Sequence, residues 1–164
     1  MSDQQMKDRP QATPEPRAKL LAVQGVVNRI VRGALRTPLV SRLAGKRLVT
    51  LYLVGRKSGR RYTVPVAYTG HDGDLLIGTP FGWARNLRTG QRVEIRLKGR
   101  RRLADVRVMT EERDVVDAYA IMASDNHAFA KFNNIALDAE GRPVRADLHL
   151  AWKAGAHAFR LTPC

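Results

Sequence analysis

The chain has 164 residues, a length that fits one domain with its own core. Its 29 Lys and Arg outnumber its 15 Asp and Glu and give a formal charge of +14 at pH 7. Such an excess suits nucleic acid, an anionic membrane surface or a ligand rich in phosphate and carboxylate, unless it serves solubility alone. The one cysteine, Cys164, excludes an internal disulfide and a thiolate metal site.

Targeting and membrane-spanning patterns are not found in the sequence. No apolar run reaches the length of about 18 to 20 residues that spans a bilayer. The polar, proline-containing N-terminus lacks a signal-peptide pattern, so we expect a cytoplasmic protein. The four histidines are scattered with no two at i and i+4, and we therefore expect no metal site.

The first 45 residues divide into a tail and a helical segment. Residues 1–18 are polar and proline-containing, and we expect them to be disordered. Within residues 19–45, apolar residues recur every three or four positions from Lys19 to Arg36, opposite a basic face. This spacing predicts an amphipathic helix that ends at Thr37-Pro38. We expect the helix to lie on the domain core, and the alternative is peripheral contact with a membrane through residues 19–36.

The remaining residues, 46–164, are expected to form the main domain. β-branched and aromatic runs bounded by turn residues predict strands at 48–54, 62–68, 75–79, 92–98, 101–109, 148–153 and 158–161. Asp72-Gly73 and Gly99 predict the turns of two hairpins, which join the second strand to the third and the fourth to the fifth. Consecutive hairpins with few helices predict an α+β, mainly β fold, in which an antiparallel sheet of about six strands closes as a barrel.

Helices are expected at two places in this domain. The stretch from Trp83 to Leu87 interrupts the strand pattern and predicts a short helix. Thr110, as an N-cap, and the acidic Glu111 and Glu112 predict the start of a longer helix after the second hairpin. Residues 124–134 carry no pattern that assigns them to an element.

The most informative segment is the glycine-bounded basic stretch that follows the first strand. Arg56, Lys57, Arg60 and Arg61 surround Ser58 between the two glycines Gly55 and Gly59. Glycines let a loop turn tightly and bring its amides close to a ligand, while the cations and the hydroxyl suit phosphate. A phosphate-binding loop and a plain charged hairpin loop both fit. It is not a Walker A loop, because the GxxxxGK[ST] order is missing.

Read together with its surroundings, this segment resembles a known family. Gly55-Arg56-Lys57-Ser58-Gly59 is followed by Thr63-Val64-Pro65, by a strand, a turn and a strand, and then by Trp83-Ala84-Arg85-Asn86-Leu87. This order is similar to that of the deazaflavin (F420)-dependent nitroreductase and quinone reductase family, which is related to FMN-binding split β-barrel proteins. The resemblance covers residues 48–113. The chain departs from it at Tyr62, where family members often carry a basic residue.

The resemblance implies a split β-barrel, an F420 cofactor and an activity. The protein would transfer a hydride from F420H2 to an electron-poor acceptor such as a quinone or nitroaromatic, and the cofactor would carry the hydride. No side-chain nucleophile is required, and the catalytic residues are not assigned. The resemblance implies that Arg56, Lys57 and Ser58 lie near the phosphate and the acidic tail of the cofactor. With the basic charge of the loop, it gives twelve candidate cofactor-binding residues: Arg56, Lys57, Ser58, Gly59, Arg60, Arg61, Thr63, Val64, Pro65, Thr79, Trp83 and Asn86.

Several alternatives remain open at this stage. The cofactor could be FMN, or the barrel could be a non-catalytic binder of the cofactor or of haem. Nucleic-acid binding is favoured by the basic hairpin at 92–102, but that hairpin lacks aromatic residues at stacking positions. By analogy with other small split barrels we expect a homodimer with the cofactor groove between its subunits.

Overall fold

The computed structural model describes residues 47–164. Seven strands occupy most of this range: β1 (Leu48–Val54), β2 (Arg61–Ala67), β3 (Thr69–His71), β4 (Asp74–Thr79), β5 (Arg92–Leu97), β6 (Arg100–Met109) and β7 (His157–Pro163). Three α-helices follow β6: α1 (Glu112–Asp125), α2 (His127–Phe132) and α3 (Arg145–Lys153). A short 3₁₀ helix (Gly82–Asn86) lies between β4 and β5. The predicted tail and the predicted N-terminal helix fall outside the described residues.

The seven strands form one antiparallel sheet in the order β2-β1-β5-β6-β7-β4-β3. The two edge strands of this order, β2 and β3, are consecutive in sequence and are separated by Tyr68 alone. The sheet must therefore curl until its two edges meet, and β2 with β3 acts as one bent strand that pairs with β1 at one end and β4 at the other. Counted in this way the barrel has six strands, and the predicted α+β split β-barrel is confirmed.

Alternate residues of the strands fill the inside of the barrel. On β4, Leu75 and Ile77 point inward, while Leu76 packs on the other side against the helices. The interior core is made of aliphatic and aromatic side chains, namely Val49, Leu51, Leu53, Tyr68, Leu75, Ile77, Ala84, Leu87, Val93, Ile95, Ala104, Val106, Phe159 and Leu161. Val93 and Ile95 of β5 are both buried in this core, and Leu97 of the same strand is partly buried against it.

The helical layer packs on the outer face of β4 and β7. Tyr119 and Met122 of α1 and Phe129 of α2 meet β4 at Gly78, where a Cβ atom would lie 2.7 to 2.9 Å from each of them. Because no larger residue fits at that distance, Gly78 sets how closely the helices approach the sheet. Within residues 47–164 no helix is both long and apolar enough to cross a membrane.

Two short hairpin turns follow from local sequence. Asp72 and Gly73 both have positive φ angles, +52° and +84°, and join β3 to β4. Lys98 and Gly99 repeat the arrangement, with φ angles of +48° and +80°, between β5 and β6. Two consecutive residues with positive φ are what a type I′ hairpin turn needs, and Asp-Gly supplies them at low cost.

The predicted partner of the second strand is wrong. β2 pairs along its whole length with β1, and the hairpin around Asp72-Gly73 is made by the three residues of β3 with β4. The apolar run at 62–68 is continuous in sequence, but the sheet bends at Tyr68, so the two halves of the bent strand have different neighbours.

The strand predicted at 148–153 is also wrong, because these residues belong to helix α3. Leu148, Leu150 and Trp152 alternate with polar residues as in a strand, yet Leu150 is 61% exposed. The side chains that pack on the helical core are Leu148, Ala151 and Trp152, which have helical spacing. The indole of Trp152 also donates a hydrogen bond of 2.9 Å to the carbonyl oxygen of Thr110.

Two details of the helix starts differ from expectation. α1 begins at Glu112 with Glu111 as its N-cap residue, and no side chain caps it, so the predicted Thr110 cap is wrong. α2 lies in the stretch that the sequence left unassigned. The side chain of Asn126 caps it by accepting hydrogen bonds from the amides of Ala128 and Phe129, at 3.0 and 3.2 Å.

Candidate functional site

The basic loop, residues 55–60, joins β1 to β2 through a tight turn. The amide of Gly55 donates to the carbonyl of Arg60 at 2.8 Å, and the amide of Gly59 donates to the carbonyl of Gly55 at 2.7 Å. Gly59 has a φ of +62°, and a Cβ atom on Gly55 would lie 2.6 Å from Ser58 Oγ. The turn itself therefore favours glycine at Gly59, whatever the loop binds, whereas a Cβ atom at Gly55 would require the Ser58 side chain to move.

The turn leaves the polar side chains of the loop in solvent. Arg56, Lys57, Arg60 and Arg61 are exposed, and none of them has a carboxylate partner within residues 47–164. Ser58 Oγ accepts a long hydrogen bond of 3.4 Å from the amide of Arg60, which leaves its hydroxyl proton free to donate. This arrangement can bind an anion.

Asn86, at the end of the 3₁₀ helix, holds the basic loop in place. Its Oδ1 accepts a hydrogen bond of 2.9 Å from the amide of Arg56. Its Nδ2 donates to the hydroxyl of Tyr62 on β2 and, at 2.9 Å, to the carbonyl of Trp83. Both polar atoms of the side chain are thus engaged within the protein. Tyr62, which departs from the family pattern, is a partner in this network, and burial raises the pKa of its phenol.

The three candidate residues on β2 do not share one face. Thr63 and Pro65 lie on the outer face of the sheet, in register with Tyr52 and Thr50 of β1. Val64, between them, points inward and packs against the barrel core. Only Thr63 and Pro65 can therefore present side chains to the same ligand on that face.

Thr79 and Trp83 lie where β4 leads into the 3₁₀ helix. Thr79 is 3% exposed, and its Oγ1 accepts a hydrogen bond of 3.1 Å from the amide of Phe81. Trp83 is half-buried and stacks on Phe159, with 6.5 Å between ring centroids and 27° between planes. Thr79 therefore shapes the turn from inside the protein, whereas Trp83 keeps part of its ring near the surface.

A cleft lies next to the basic loop, and sequence reasoning missed it. β1 and β5 pair only from Val49↔Leu97 to Tyr52↔Glu94, although β1 runs on to Val54 and β5 starts at Arg92. The two strands diverge there and open a cleft of about 320 Å³. Its walls are Tyr52, Leu53, Val54, Arg56, Asn86, Leu87, Arg88, Gln91, Arg92, Val93, Glu94 and Val106.

Of the twelve predicted residues, only Arg56 and Asn86 line this cleft. Of the missed residues, Arg88 directly follows the Trp83–Leu87 motif, and Gln91 lies three residues further along the chain. A local signal was present, since Arg88 is a cation next to a turn marked by Gly90, whose φ is +81°. The divergence of β1 from β5 itself has no local signal.

Two charged side chains of the cleft wall form ion pairs, and two others have none within the described residues. Arg92 donates a hydrogen bond of 2.9 Å to Asp105, which raises the pKa of its guanidinium. Glu94 accepts one of 2.9 Å from Arg101, whose guanidinium lies 4.6 Å from the ring centroid of Tyr52. Arg56 and Arg88 have no carboxylate partner within residues 47–164.

No three His, Cys, Asp or Glu side chains come together as a metal site within the described range. The cleft and the basic loop offer cationic and neutral donors, and Glu94, the one carboxylate of the cleft wall, is paired with Arg101. Such a donor set suits an anionic organic ligand.

Comparison with known proteins identifies a family. A family model described as F420H(2)-dependent quinone reductase matches residues 26–136. The match extends beyond the stretch 48–113 that carries the sequence resemblance, at both ends. No curated protein matches the chain significantly.

Solved structures that match this chain have low sequence identity to it. An FMN-binding protein from Nostoc punctiforme, related to pyridoxamine 5′-phosphate oxidase, is 17% identical over 93% of this chain and 83% of its own, with a TM-score of 0.47. A candidate 5-nitroimidazole antibiotic resistance protein from Bacteroides thetaiotaomicron is 9% identical over 78% of this chain and 80% of its own, with a TM-score of 0.46. A FAD-binding protein from Mesorhizobium loti is 16% identical over 78% of this chain and 90% of its own, with a TM-score of 0.41. Likenesses at this level carry no argument about activity.

Proposed function

The chain belongs to the F420H(2)-dependent quinone reductase family, and on that premise we propose that it is a reductase that transfers a hydride from F420H2 to an electron-poor acceptor such as a quinone or nitroaromatic. The observation that carries the proposal is the basic loop. Its cations have no carboxylate partner within residues 47–164, and Asn86 fixes the loop beside the cleft through the 2.9 Å bond to the amide of Arg56.

The residues of the site fit an anionic cofactor. Arg56, Lys57, Arg60 and Arg61 would bind its phosphate and acidic groups by charge, and Ser58 would donate its hydroxyl proton. The glycine turn keeps the loop backbone open to close approach at Gly59. When bound, the reduced deazaflavin supplies the hydride.

The outer face of β2 and the 3₁₀ helix would orient the cofactor. Thr63 and Pro65 share that face, and Trp83 keeps part of its ring near the surface at the end of the barrel. Asn86 and Thr79 would act indirectly, because their hydrogen bonds are used within the protein. Orientation of this kind contributes to rate by removing the entropy of encounter.

The binding test is a fluorescence titration at physiological salt with F420 and, separately, FMN. The sequence has two tryptophans, so a Trp152→Phe variant leaves Trp83 as the reporter. Preferential, saturable quenching by F420 followed by reduction of quinone or nitroaromatic acceptors would support the proposal. Preference for FMN would keep the fold and change the cofactor. Binding of neither would overturn the proposal in favour of a haem or nucleic-acid ligand.

The homodimer is a second part of the proposal. Tyr52, Glu94 and Leu103 are in register across β1, β5 and β6, so they share the outer face of the sheet. Val54 lies on the same face, and Val54 and Leu103 are 55% and 46% exposed. Apolar side chains in such positions favour contact with a second copy. Light scattering during size-exclusion chromatography tests this, and a monomer at micromolar concentration would contradict it.

A further inference from the structure

The cleft between the diverging ends of β1 and β5 contains only one residue of the basic loop, Arg56, and its ligand has not yet been assigned. We propose that it binds the acidic tail of the cofactor through Arg56 and Arg88, with Gln91 as a polar contact to the tail. The proposal rests on the proposed function, since it assigns one part of that ligand to a second place on the protein. It adds two binding residues, Arg88 and Gln91, to those that the sequence predicted.

Hydrogen bonds hold one wall of the cleft firmly against β6. Thr89 Oγ1 accepts a hydrogen bond of 3.0 Å from the amide of Val108, and the amide of Gly90 donates to the carbonyl of Val106 at 3.0 Å. The amide of Val106 in turn donates to the carbonyl of Gln91 at 3.0 Å. Residues 89–91 are therefore fixed to β6, so Gln91, which is one of them, and Arg88, which directly precedes them, start from a defined backbone.

The two arginines come from segments that meet at the edge of the cleft. The amide of Arg56 is bonded at 2.9 Å to Asn86, which precedes Arg88 by two residues. The basic loop and the segment after the 3₁₀ helix are thus joined at the edge of the cleft, and both arginine residues line it. Two cations held in this way can grip carboxylates bidentately.

The other charged side chains of the cleft wall are paired. Asp105 neutralises Arg92, and Arg101 neutralises Glu94, each at 2.9 Å. The positive charge that remains in the described part of the cleft comes from Arg56 and Arg88. Arg56 and Arg88 therefore attract an anion to the cleft. The negative charge of Glu94, which also lines the cleft, is neutralised by its ion pair with Arg101.

The volume and the apolar floor of the cleft suit an extended ligand. The cleft measures about 320 Å³ and has an apolar floor of Leu53, Val93 and Val106. A single phosphate fills only a fraction of this volume, and the tight glycine turn suits phosphate better. A chain of methylenes and amides with carboxylates along it matches an apolar floor, the side-chain amide of Gln91 and two arginines.

The test compares binding of three cofactor forms to the wild-type protein and to Arg88→Gln. The forms are F420 with its acidic tail, F420 that keeps the phosphate but lacks the tail, and the deazaflavin that lacks both. Dissociation constants come from quenching of Trp83 in the Trp152→Phe background. We expect Arg88→Gln to weaken binding of the tailed form about tenfold or more and to leave the other two forms unchanged.

Arg85→Gln is the matched control, because Arg85 is exposed, belongs to the 3₁₀ helix that precedes Arg88, and does not line the cleft. It removes the same charge three residues away, so long-range attraction falls equally in both variants. Raising the salt concentration should shrink the tail-specific difference, because exposed charges are screened. Gln91→Ala is expected to show the same preference as Arg88→Gln with a smaller effect.

The outcomes separate the two proposals. If Arg88→Gln weakens the tailed and tail-less phosphate forms equally, Arg88 binds phosphate and the tail assignment is wrong. If Arg88→Gln matches Arg85→Gln, the cleft does not bind the tail, although the proposed function stands. If the wild-type protein binds none of the three forms, the proposed function fails and the tail site fails with it.

Discussion

The strands that carry the site and the helices that cover the barrel divide the charge of the protein unequally. Residues 47–109, which form β1 to β6, hold 14 Lys and Arg but only four Asp and Glu. Residues 110–156, which form α1 to α3 and are called the helical half below, hold five Lys and Arg and eight Asp and Glu. The positive charge of the described chain is therefore concentrated in the half that contains the basic loop and the cleft.

Pairing of the charges sharpens the difference. In the helical half, Arg142 pairs with Asp138 at 2.9 Å, and the backbone amide of Arg142, which donates to the same carboxylate, holds the pKa of Asp138 below its usual value. Nδ1 of His149 lies 2.6 Å from Oε1 of Glu112. The basic loop has no such partners within residues 47–164. Uncompensated positive charge at a built turn is what an anion site requires, whereas paired surface charges contribute little.

The largest expected effect is loss of charge from the basic loop. The double variant Arg56→Ala with Lys57→Ala removes two charge-assisted contacts, each of about 1.5–3 kcal/mol, and should weaken F420 binding about 100-fold or more. The melting temperature should barely change, because both side chains are exposed. Fluorescence titration and thermal unfolding measure the two quantities.

The matched control for this double variant removes two cations from the helical half. Arg113 is 91% exposed, and Lys131 is exposed on α2. Arg113→Ala with Lys131→Ala changes the net charge by the same amount and should leave the affinity within about threefold. Equal weakening in the two double variants would mean that only the overall charge of the protein matters.

The next effect is on stability and belongs to the helical half. Gly78→Ala places a Cβ atom within 2.9 Å of Tyr119, Met122 and Phe129, at the contact between β4 and the helices. Overpacking of this kind costs about 1–3 kcal/mol, so the melting temperature should fall by roughly 2–4 °C for each kcal/mol. Gly70→Ala is the control, since nothing lies within 4 Å of its Cβ position and its φ is not positive. A Gly78→Ala variant as stable as Gly70→Ala would show that the helices are loosely packed.

The same comparison explains which parts of the structure could be predicted. β1, the turn at Asp72-Gly73 and the glycine turn of the basic loop were predictable, because each follows from a few adjacent residues. Helix α3 was not, because Leu148-His149-Leu150 alternates like a strand while tertiary packing selects Leu148, Ala151 and Trp152. Local pattern yields to tertiary contacts where the two disagree.

The site divides in the same way. The basic loop was found from sequence because its glycines and cations are contiguous. The cleft was not found, because it exists only where the pairing of β1 with β5 stops after Tyr52↔Glu94, and that end of a non-local ladder has no signature in either strand. Asn86 was found as a site residue, but its hydrogen bonds to the loop, to β2 and to Trp83 could be read only from the structure.

A smaller effect is expected from Asn86→Ala, which removes the hydrogen bond between the 3₁₀ helix and the basic loop, called the tie below. The amide of Arg56 loses its acceptor, and we expect a loss of about 1–2 kcal/mol in stability and faster hydrogen exchange at that amide. F420 affinity should fall by several-fold, because the loop is no longer pre-organised. In the helical half, Asn133→Ala removes a similar bond, from Nδ2 to the carbonyl of Phe129 at 2.9 Å. It should leave exchange at Arg56 unchanged, and protection of Arg56 that survives Asn86→Ala would contradict the role of the tie.

The smallest effect concerns Tyr119 in the core of the helical half, where burial raises the pKa of the phenol above its ordinary value of 10.0. The unfolded chain releases this proton near pH 10 while the folded protein retains it, so stability is full below pH 10 and falls as the pH rises beyond it. Tyr119→Phe removes this dependence at little cost, since the hydroxyl donates only a long bond of 3.4 Å to the carbonyl of His157. Melting temperatures of the two proteins at pH 8 and pH 10.5 measure the difference: the wild type should be at least as stable at pH 8 and lose about 0.5–1 kcal/mol more than the variant at pH 10.5. Parallel losses in the two proteins would mean that water reaches the Tyr119 hydroxyl and that the core of the helical half is less dry than that of the barrel.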